Sequence, residues 1–189
     1  VDGVSCALYN PDMTPQRTRT SIVRILPKDK SKPFRAEFPG TGFAMYRAEA
    51  FLKVGGYDET YYFYNEDLDW AARAKRLGCV FYFLPDASAI HIGGGGRRHN
   101  ISGILKELYR SNMYFYRRHY PRLAWLAYLI LKAEIKIRIR GIRRQMSRLQ
   151  SNEGLEEYEQ QIAILLEAER RMQEEYRNPS TPQIPRFAG

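Results

Sequence analysis

The feature that most constrains this sequence is a helix that leads directly into a buried strand. Asn65 is a good N-cap for a helix over 66–77, and Gly78 stands where a left-handed residue often ends a helix. The apolar letters CVFYFL over 79–84 predict a buried strand, and Pro85 interrupts it before an extended segment resumes. A helix followed at once by a buried strand is typical of α/β domains.

Shorter elements upstream extend this α/β pattern. Residues 1–9 predict a strand that ends at an Asn-Pro-Asp turn. A short strand over 41–46 and a short helix over 47–54 follow, and a glycine pair ends that helix. An aromatic loop over 57–64 then precedes the predicted N-cap. We therefore expect residues 1–100 to form one α/β part.

The remaining residues are predicted to be largely helical. Residues 101–150 predict basic amphipathic helices, whose apolar run over 123–131 is too short to span a bilayer, which needs about 20 residues. Residues 151–177 predict an acidic helix with a heptad-like stripe that could support self-association, although about three imperfect heptads are marginal alone. The proline-rich segment 178–189 predicts a flexible tail. The stripe consists of Leu155, Tyr158, Ile162, Leu165, Met172 and Tyr176.

The formal net charge of +9 is concentrated in one segment. Residues 1–96 are nearly balanced, residues 97–148 are strongly basic, and residues 151–177 are acidic. A basic block of this kind indicates an anionic partner, either a nucleic acid or a membrane surface. Trp125 and Tyr128, beside the Lys and Arg residues, fit a membrane interface. The same helices could equally pack on the α/β part with their arginines in solvent.

The basic block lacks the signature of a nucleic-acid-binding module. Such a module needs base-contacting or stacking elements in a recognisable arrangement, and the sequence shows none. We therefore expect no nucleic-acid partner. Cys6 and Cys79 form no CxxC pair, which fits a reducing compartment. The expected location is cytoplasmic, with peripheral association at the inner face of the cell membrane as the membrane alternative.

Carboxylates cluster at the predicted start of the 66–77 helix. Acidic side chains there are stabilised by the helix dipole by about 0.3–1 kcal/mol each, so Glu66, Asp67 and Asp69 need no catalytic explanation. The same position also suits a general base, because the dipole favours an ionised carboxylate and an aromatic loop adjoins it. His91 ends a strand before four glycines, and it is either structural or one ligand of a metal such as Mn²⁺.

The order of these features resembles family 2 glycosyltransferases, in particular their rhamnosyltransferase-like branch. The most specific match is FLKVGGYDETYYFYNEDLDWAAR over 51–73, which follows the family pattern almost completely. The segment GTGFAMYR over 40–47 matches a glycine-rich strand, and ALYNPD over 7–12 matches an earlier motif that continues with Gln16 and Arg19. The pattern closes with Gly78, Tyr82, Pro85, Ala87 and His91.

The resemblance implies a role for each matching position. Asp67 corresponds to the catalytic base that activates the acceptor hydroxyl. His91 corresponds to a histidine that binds a divalent metal, Mn²⁺ or Mg²⁺. The other residues that the resemblance implies in acceptor binding, or in support of the base, are Gly40, Thr41, Gly42, Glu66, Asp69, Trp70 and Arg73.

The implied reaction transfers a sugar, rhamnose for this branch, from a nucleotide-diphosphate donor with inversion at the anomeric carbon. The implied acceptor is a glycan or a lipid-linked glycan of cell-surface polysaccharide synthesis. The implied fold is a partial GT-A domain that lacks its N-terminal nucleotide-binding half and is followed by an all-helical extension. Because that half carries the donor-binding residues and the other metal ligands, we expect little activity from this chain alone.

A different class of function also remains open at this stage. The chain could be a non-catalytic scaffold or partner-binding subunit that retains a glycosyltransferase-like fold, because the donor half is missing and the acidic stripe could bind another helix. Only the glycosyltransferase interpretation explains the ordered match over 51–91.

Overall fold

The computed structural model describes residues 1–16, 31–37, 42–92, 101–149 and 154–185. Within them the chain is mixed α/β and divides into two compact units. The sheet unit comprises residues 1–59, 66–95 and 183–189, and the helical unit comprises residues 60–65 and 96–182. The basic and acidic helices, predicted as separate segments, therefore belong to one unit.

Among the described residues, the sheet unit contains four strands: β1 (Gly3–Tyr9), β2 (Phe34–Ala36), β3 (Ala44–Tyr46) and β4 (Phe81–Ile90). They form one sheet in the order β2-β4-β1-β3. β1 and β4 are the parallel central pair, while β2 and β3 pair antiparallel at the two edges. The strands predicted over 1–9 and 41–46 are present, and the second is shorter than expected.

β4 carries a short interruption at the predicted proline break. Cys6 pairs with Leu84, and the next residue of β1, Ala7, pairs with Ser88, so residues 85–87 have no rung on β1. Pro85 has no N–H to donate, which favours a bulge at this point. The sequence predicts that Pro85 ends a strand, whereas the structure has one continuous strand through Pro85 and interrupts only its pairing with β1.

Two helices, α1 (Ala48–Val54) and α2 (Glu66–Arg76), pack against the sheet. Both are followed by the expected left-handed glycine, since Gly55 and Gly78 have φ angles of 82° and 80°. The first turn of α2 is acidic and its last turn is basic, which complements the helix dipole. The shared core consists of Ala36, Val54, Trp70, Ala74 and Phe81.

The start of α2 differs from the prediction. Asn65 has a φ of 68°, whereas an N-cap residue normally has an extended backbone. Its side-chain amide donates to Oδ1 of Asn112 at 3.3 Å. Tyr64 before it also has a positive φ, of 65°. The helix therefore begins after a left-handed two-residue turn instead of a conventional cap.

The chain end is held in the sheet unit as far as Pro185, where the sequence predicts a flexible tail. The Gln183 N–H donates to Oδ1 of Asp58 at 2.8 Å, and the Gln183 carbonyl accepts the Glu59 N–H at 2.8 Å. The Gly56 N–H donates to the Pro185 carbonyl at 3.1 Å. Asp58 is 1% exposed, so its carboxylate is a buried anchor for this segment.

The helical unit contains, among the described residues, α3 (Ile101–His119), a 3₁₀ turn (Pro121–Leu123), α4 (Ala124–Met146) and α5 (Leu155–Arg177). Residues 60–65 join it, because the Arg110 guanidinium donates to the Thr60 carbonyl at 2.7 Å. None of the helices described here has the length and apolar character needed to cross a membrane. The core consists of Tyr109, Met113, Ala124, Ile135, Ile139, Leu165, Ala168 and Met172.

The apolar stripe of α5 is used inside the helical unit. Leu165 and Met172 are 3% and 0% exposed, and Tyr176 stacks on Tyr128 with ring centroids 4.6 Å apart. Ile162 packs against the same core. Because α3 and α4 supply complementary apolar faces within the chain, these side chains pack inside the helical unit, and self-association through 155–176 stays a prediction.

Leu165→Ala should destabilise the helical unit by about 2–5 kcal/mol, because it removes a buried side chain from the core. Leu166 is 50% exposed, so Leu166→Ala is a matched control that should cost less than about 0.5 kcal/mol. Urea unfolding followed by circular dichroism measures both. Equal effects of the two changes would contradict the burial of Leu165 in the core. A loss of stability that depends on protein concentration would show that the stripe serves an intermolecular contact.

Gly55→Ala should destabilise the sheet unit more than Gly78→Ala. Both glycines have positive φ angles, which cost alanine about 1 kcal/mol, and the ψ of 168° at Gly55 adds to that cost because essentially only glycine adopts this combination. A Cβ on Gly55 would also lie 2.9 Å from Cγ2 of Ile184, whereas a Cβ on Gly78 meets nothing within 4 Å. We expect an additional loss of about 1–2 kcal/mol for Gly55→Ala, measured by chemical unfolding.

Deleting residues 183–189 should remove that additional loss. In the shortened chain, the difference in unfolding free energy between Gly55→Ala and Gly78→Ala should shrink, since the contact with Ile184 is gone and only the backbone contributions remain. A difference as large as in the full chain would contradict docking of residues 183–185 on Gly55.

Candidate functional site

The acidic pair Glu66 and Asp67, at the start of α2, is the centre of the candidate site. Asp67 is partly buried, and its Oδ1 accepts the Leu68 N–H at 2.6 Å. It lies in the first turn of an 11-residue helix, where the helix dipole favours an ionised carboxylate. Its Oδ2 has no hydrogen-bond partner among the described residues. Asp67 therefore keeps one oxygen with which to accept a proton.

Glu66 has a different environment from its neighbour Asp67. Its Oε2 is buried and has no hydrogen-bond partner within the described part of the chain. Burial raises the pKa of Glu66, and the charge of Asp67 raises it further. Glu66 therefore keeps its proton to a higher pH than an ordinary glutamate, and in that form it can donate a hydrogen bond.

Two tyrosines that the sequence reasoning did not single out adjoin this pair. The phenols of Tyr46 and Tyr57 interact with each other. Burial raises the pKa of both phenols, and the charge of Asp67 adds to the effect. Tyr57 is 38% exposed, so part of its ring faces solvent. The signal was present in the sequence, because both tyrosines lie in the motifs GTGFAMYR and FLKVGGYDE.

Asp69, Trp70 and Arg73 support the loop between the helices. Nε of Arg73 donates to Oδ2 of Asp69 at 2.8 Å, and its two terminal nitrogens donate to the carbonyls on either side of Gly55, each at 2.8 Å. Nε1 of Trp70 donates to the Gly55 carbonyl at 2.9 Å. Asp69 and Trp70 are 0% exposed. This arrangement fits the supporting role that the resemblance implies and leaves Asp69 and Trp70 no surface for an acceptor.

The two residues before Glu66 have an uncommon backbone conformation. Tyr64 and Asn65 have φ angles of 65° and 68°, which cost a non-glycine residue about 1–3 kcal/mol each. Strained positions of this kind cluster at ligand-binding and catalytic sites, where the surrounding structure holds them. The strain is therefore a second indication, besides the carboxylates, that the start of α2 serves a function.

His91 is oriented by Gln16. The side-chain Nε2 of Gln16 donates to the His91 carbonyl at 2.6 Å and to Oδ1 of Asn10 at 2.7 Å, so its Oε1 is the atom 2.8 Å from Nδ1 of His91. An amide oxygen only accepts, which places the imidazole proton on Nδ1 and leaves a lone pair on Nε2. Metal-binding histidines are commonly held in this way.

The remainder of a metal site is not found among the described residues. Within the described ranges, no group of three or more His, Cys, Asp and Glu side chains lies close enough together to hold an ion. The Nε2 atom of His91 alone does not make a site for Mn²⁺ or Mg²⁺. The metal that the resemblance implies stays a prediction.

The structure attaches the acidic cluster and His91 to different parts of the sheet. Tyr46, which adjoins Asp67, pairs with Gly3 at the first rung of β1. The His91 N–H donates at 2.9 Å to the carbonyl of Tyr9, at the last rung. These rungs lie about 20 Å apart along an extended strand. The contacts described for Asp67 and for His91 have no residue in common.

Of the three residues 40–42 that are predicted to bind the acceptor, only Gly42 lies within the part of the chain that the structure describes. A Cβ at this position would lie 2.3 Å from Cδ1 of Leu8, so a larger residue would displace the Leu8 side chain. Close packing therefore explains this glycine. Gly40 and Thr41 lie outside the described residues, and the acceptor role of the segment stays a prediction.

Comparison with curated proteins finds relatives with a glycosyltransferase activity. Two N-acetylglucosaminyl-diphospho-decaprenol L-rhamnosyltransferases of Mycobacterium tuberculosis, from strains CDC 1551 and H37Rv, are each 40% identical over 45 residues. The match covers 24% of this chain, and it spans 15% of the length of each relative. No protein-family model matches the chain, and no solved structure matches it. A short stretch of the chain is therefore similar to a glycosyltransferase.

Glu66→Gln should stabilise the sheet unit at neutral pH. The raised pKa means that the folded protein holds this proton more tightly than the unfolded chain does, so stability is lost as the pH rises through the folded pKa. Glutamine keeps the shape of the side chain without the charge. The gain in Tm should therefore be positive near pH 7 and should shrink below about pH 4.3, the ordinary pKa of glutamate.

Glu59→Gln is the control, because Glu59 is exposed in the neighbouring aromatic loop and should show no such pH-dependent gain. Thermal unfolding across the same pH range measures both variants. A Glu66→Gln protein less stable than the parent at neutral pH would contradict the proton-retaining state of Glu66.

Proposed function

We propose that this chain carries the acceptor-side part of an inverting glycosyltransferase, with Asp67 as the base that activates the acceptor hydroxyl. The observation that carries the proposal is the cluster at the start of α2, where Asp67 has one oxygen without a hydrogen-bond partner among the described residues, beside Glu66 and the Tyr57 phenol. The similarity of a short stretch to two rhamnosyltransferases supports the same class of activity.

In the proposed reaction, Oδ2 of Asp67 takes the proton of the acceptor hydroxyl as the hydroxyl oxygen bonds to the anomeric carbon of the donor. The bond from that carbon to the nucleotide diphosphate breaks on the opposite face, and the configuration inverts. The Leu68 N–H donates to Oδ1 of Asp67, which orients the carboxylate and leaves Oδ2 for this step. A positioned general base of this kind contributes about 10²–10⁴-fold to the rate.

Glu66 and Tyr57 position the acceptor in this proposal. Protonated Glu66 can donate a hydrogen bond to a sugar oxygen, which an ionised carboxylate cannot do. The part-exposed ring of Tyr57 offers a flat apolar surface for the face of a sugar ring. Because Arg73 fixes the carbonyls on either side of Gly55, it also limits the movement of the loop that carries Tyr57.

The proposed substrates are a nucleotide-diphospho-rhamnose donor and a glycan acceptor linked to a lipid diphosphate. The names of the two mycobacterial relatives give L-rhamnose as the transferred sugar and a lipid-diphosphate-linked sugar as the acceptor, which supports those two parts of the proposal. We assign the sheet unit, in the same proposal, to a partial GT-A fold. A bound Mn²⁺ or Mg²⁺ would offset the charge of the leaving diphosphate, with His91 as one ligand, but the described residues do not complete its site.

Asp67→Asn should lower the rate of sugar transfer by about 10²–10⁴-fold, because asparagine keeps the shape and the accepting oxygen but cannot take a proton. Acceptor binding and Tm should stay close to those of the parent. The assay uses the longest protein that the reading frame around these residues encodes. Its donor is a nucleotide-linked rhamnose and its acceptor an N-acetylglucosaminyl-diphospho-lipid. It measures kcat and KM separately.

Asp86→Asn is the matched control, because Asp86 is an exposed carboxylate in the interrupted part of β4. It should transfer sugar at the parental rate. Near-parental turnover by Asp67→Asn would remove the assignment of the base. Absence of transfer by the parent protein would favour the scaffold interpretation instead.

A further inference from the structure

α4 presents an exposed apolar face on the side opposite its packed residues. The buried residues of the helix are Ala124, Ala127, Ile135 and Ile139. At 3.6 residues per turn, Leu126 and Ile137 lie about half a turn around the helix from them. We name this apolar region the α4 surface. It consists of Leu123, Trp125, Leu126, Leu129, Ile130 and Ile137, with side chains 40% to 65% exposed.

The same face of α4 becomes basic in its second half. Arg140 and Arg144 continue the line of Leu126 and Ile137 at three- and four-residue spacing. The basic group, Lys136, Arg140, Arg143 and Arg144, is exposed, and within the described residues none of its members has a carboxylate partner. These cations are therefore available to an external anion.

Exposed aromatic residues occur beside the turn between α3 and α4. Tyr116 and Tyr120 are 36% and 37% exposed, with ring centroids 6.1 Å apart, and Trp125 is 55% exposed. Tyr128, which the sequence predicts at a membrane interface, is instead stacked on Tyr176 in the core of the unit. The interfacial aromatic character thus comes from Trp125, from Tyr116 in α3 and from Tyr120 in the turn that follows it.

We propose that the α4 surface binds an anionic membrane interface, with its apolar side chains among the lipid chains and its basic group on the headgroup phosphates. Charge complementarity identifies this occupant, since unpaired cations in line with exposed apolar residues match the layered chemistry of a bilayer surface. A nucleic acid would neutralise the cations but would leave the apolar side chains in water. A second copy would bring like charges into one contact.

The α4 surface lies wholly within the helical unit, and this proposal does not depend on the proposed glycosyltransferase activity. Membrane binding is measured without donor or acceptor, so its failure and the failure of the transferase assignment are separate results.

Vesicle cosedimentation tests the proposal with the full 189-residue chain. The chain should bind phosphatidylcholine vesicles that contain about 25% phosphatidylglycerol, more weakly as salt is added, and should bind pure phosphatidylcholine far less. Trp125 reports insertion directly, because the other tryptophan, Trp70, is 0% exposed. Binding should shift the tryptophan emission to the blue, and Trp125→Phe should abolish the shift.

Two triple variants locate the contact on α4. Substitution of Leu126, Leu129 and Ile130 by Gln should reduce vesicle binding at least about tenfold, as should substitution of Lys136, Arg140 and Arg144 by Gln. The vesicle binding that remains in the basic triple variant should also depend less on the salt concentration. The matched controls, in the sheet unit, replace exposed residues by Gln: Met45, Leu52 and Leu77 for the apolar set, and Lys32, Arg35 and Arg76 for the basic set.

Several outcomes would overturn the assignment. Absence of binding to anionic vesicles at low salt would do so, as would equal losses in the control triples or an emission shift that persists in Trp125→Phe. Duplex DNA binding without vesicle binding would assign the basic group to nucleic acid instead. A dimer that the apolar triple dissociates in sedimentation velocity would assign the surface to a second copy. Circular dichroism checks the fold, and Trp125→Phe remains informative if a triple variant fails to fold.

Discussion

The guanidinium of Arg73 holds together the part of the sheet unit from which the candidate site is built. It pairs with buried Asp69 and donates to the carbonyls on either side of Gly55, while Trp70 donates to the Gly55 carbonyl itself. Charged groups with so little exposure are stable only when each is paired, so the loop and the helix hold one another in place. The chain end then docks on this loop, and Tyr57 follows it directly. The acidic cluster, the glycine turn and the chain end are therefore all held in place through the contacts of Arg73.

Much of the local structure of the sheet unit is predictable from the sequence because its signals are local. Gly55, Gly78 and Pro85 act through their own backbone properties, and the structure has them at the helix ends and the bulge where those properties place them. The sequence predicts Asn65 as an N-cap, but capping requires an extended backbone, whereas this residue has a left-handed conformation and bonds to Asn112. For α5, periodicity predicts an apolar face without saying which helices cover it.

The candidate site shows the same division between local and distant causes. The sequence pattern predicts the position of Asp67 in the first turn of α2. It also predicts the glycine pair that ends α1 and the aromatic loop that follows. The contact between Tyr46 and Tyr57 joins a strand to a loop, and Gln16 reaches His91 across 75 residues. The complete burial of Asp69 beside partly buried Asp67 depends on how α2 is rotated on the sheet, which composition and spacing alone do not determine.

Asp58 and Gln183 are bonded across 125 residues, and the sheet unit is therefore discontinuous along the chain. During synthesis Asp58 emerges from the ribosome 125 residues before Gln183. Until Gln183 follows, the Asp58 carboxylate lacks the Gln183 N–H as a hydrogen-bond partner. The sheet unit therefore completes this edge only after the intervening helical unit has been synthesised.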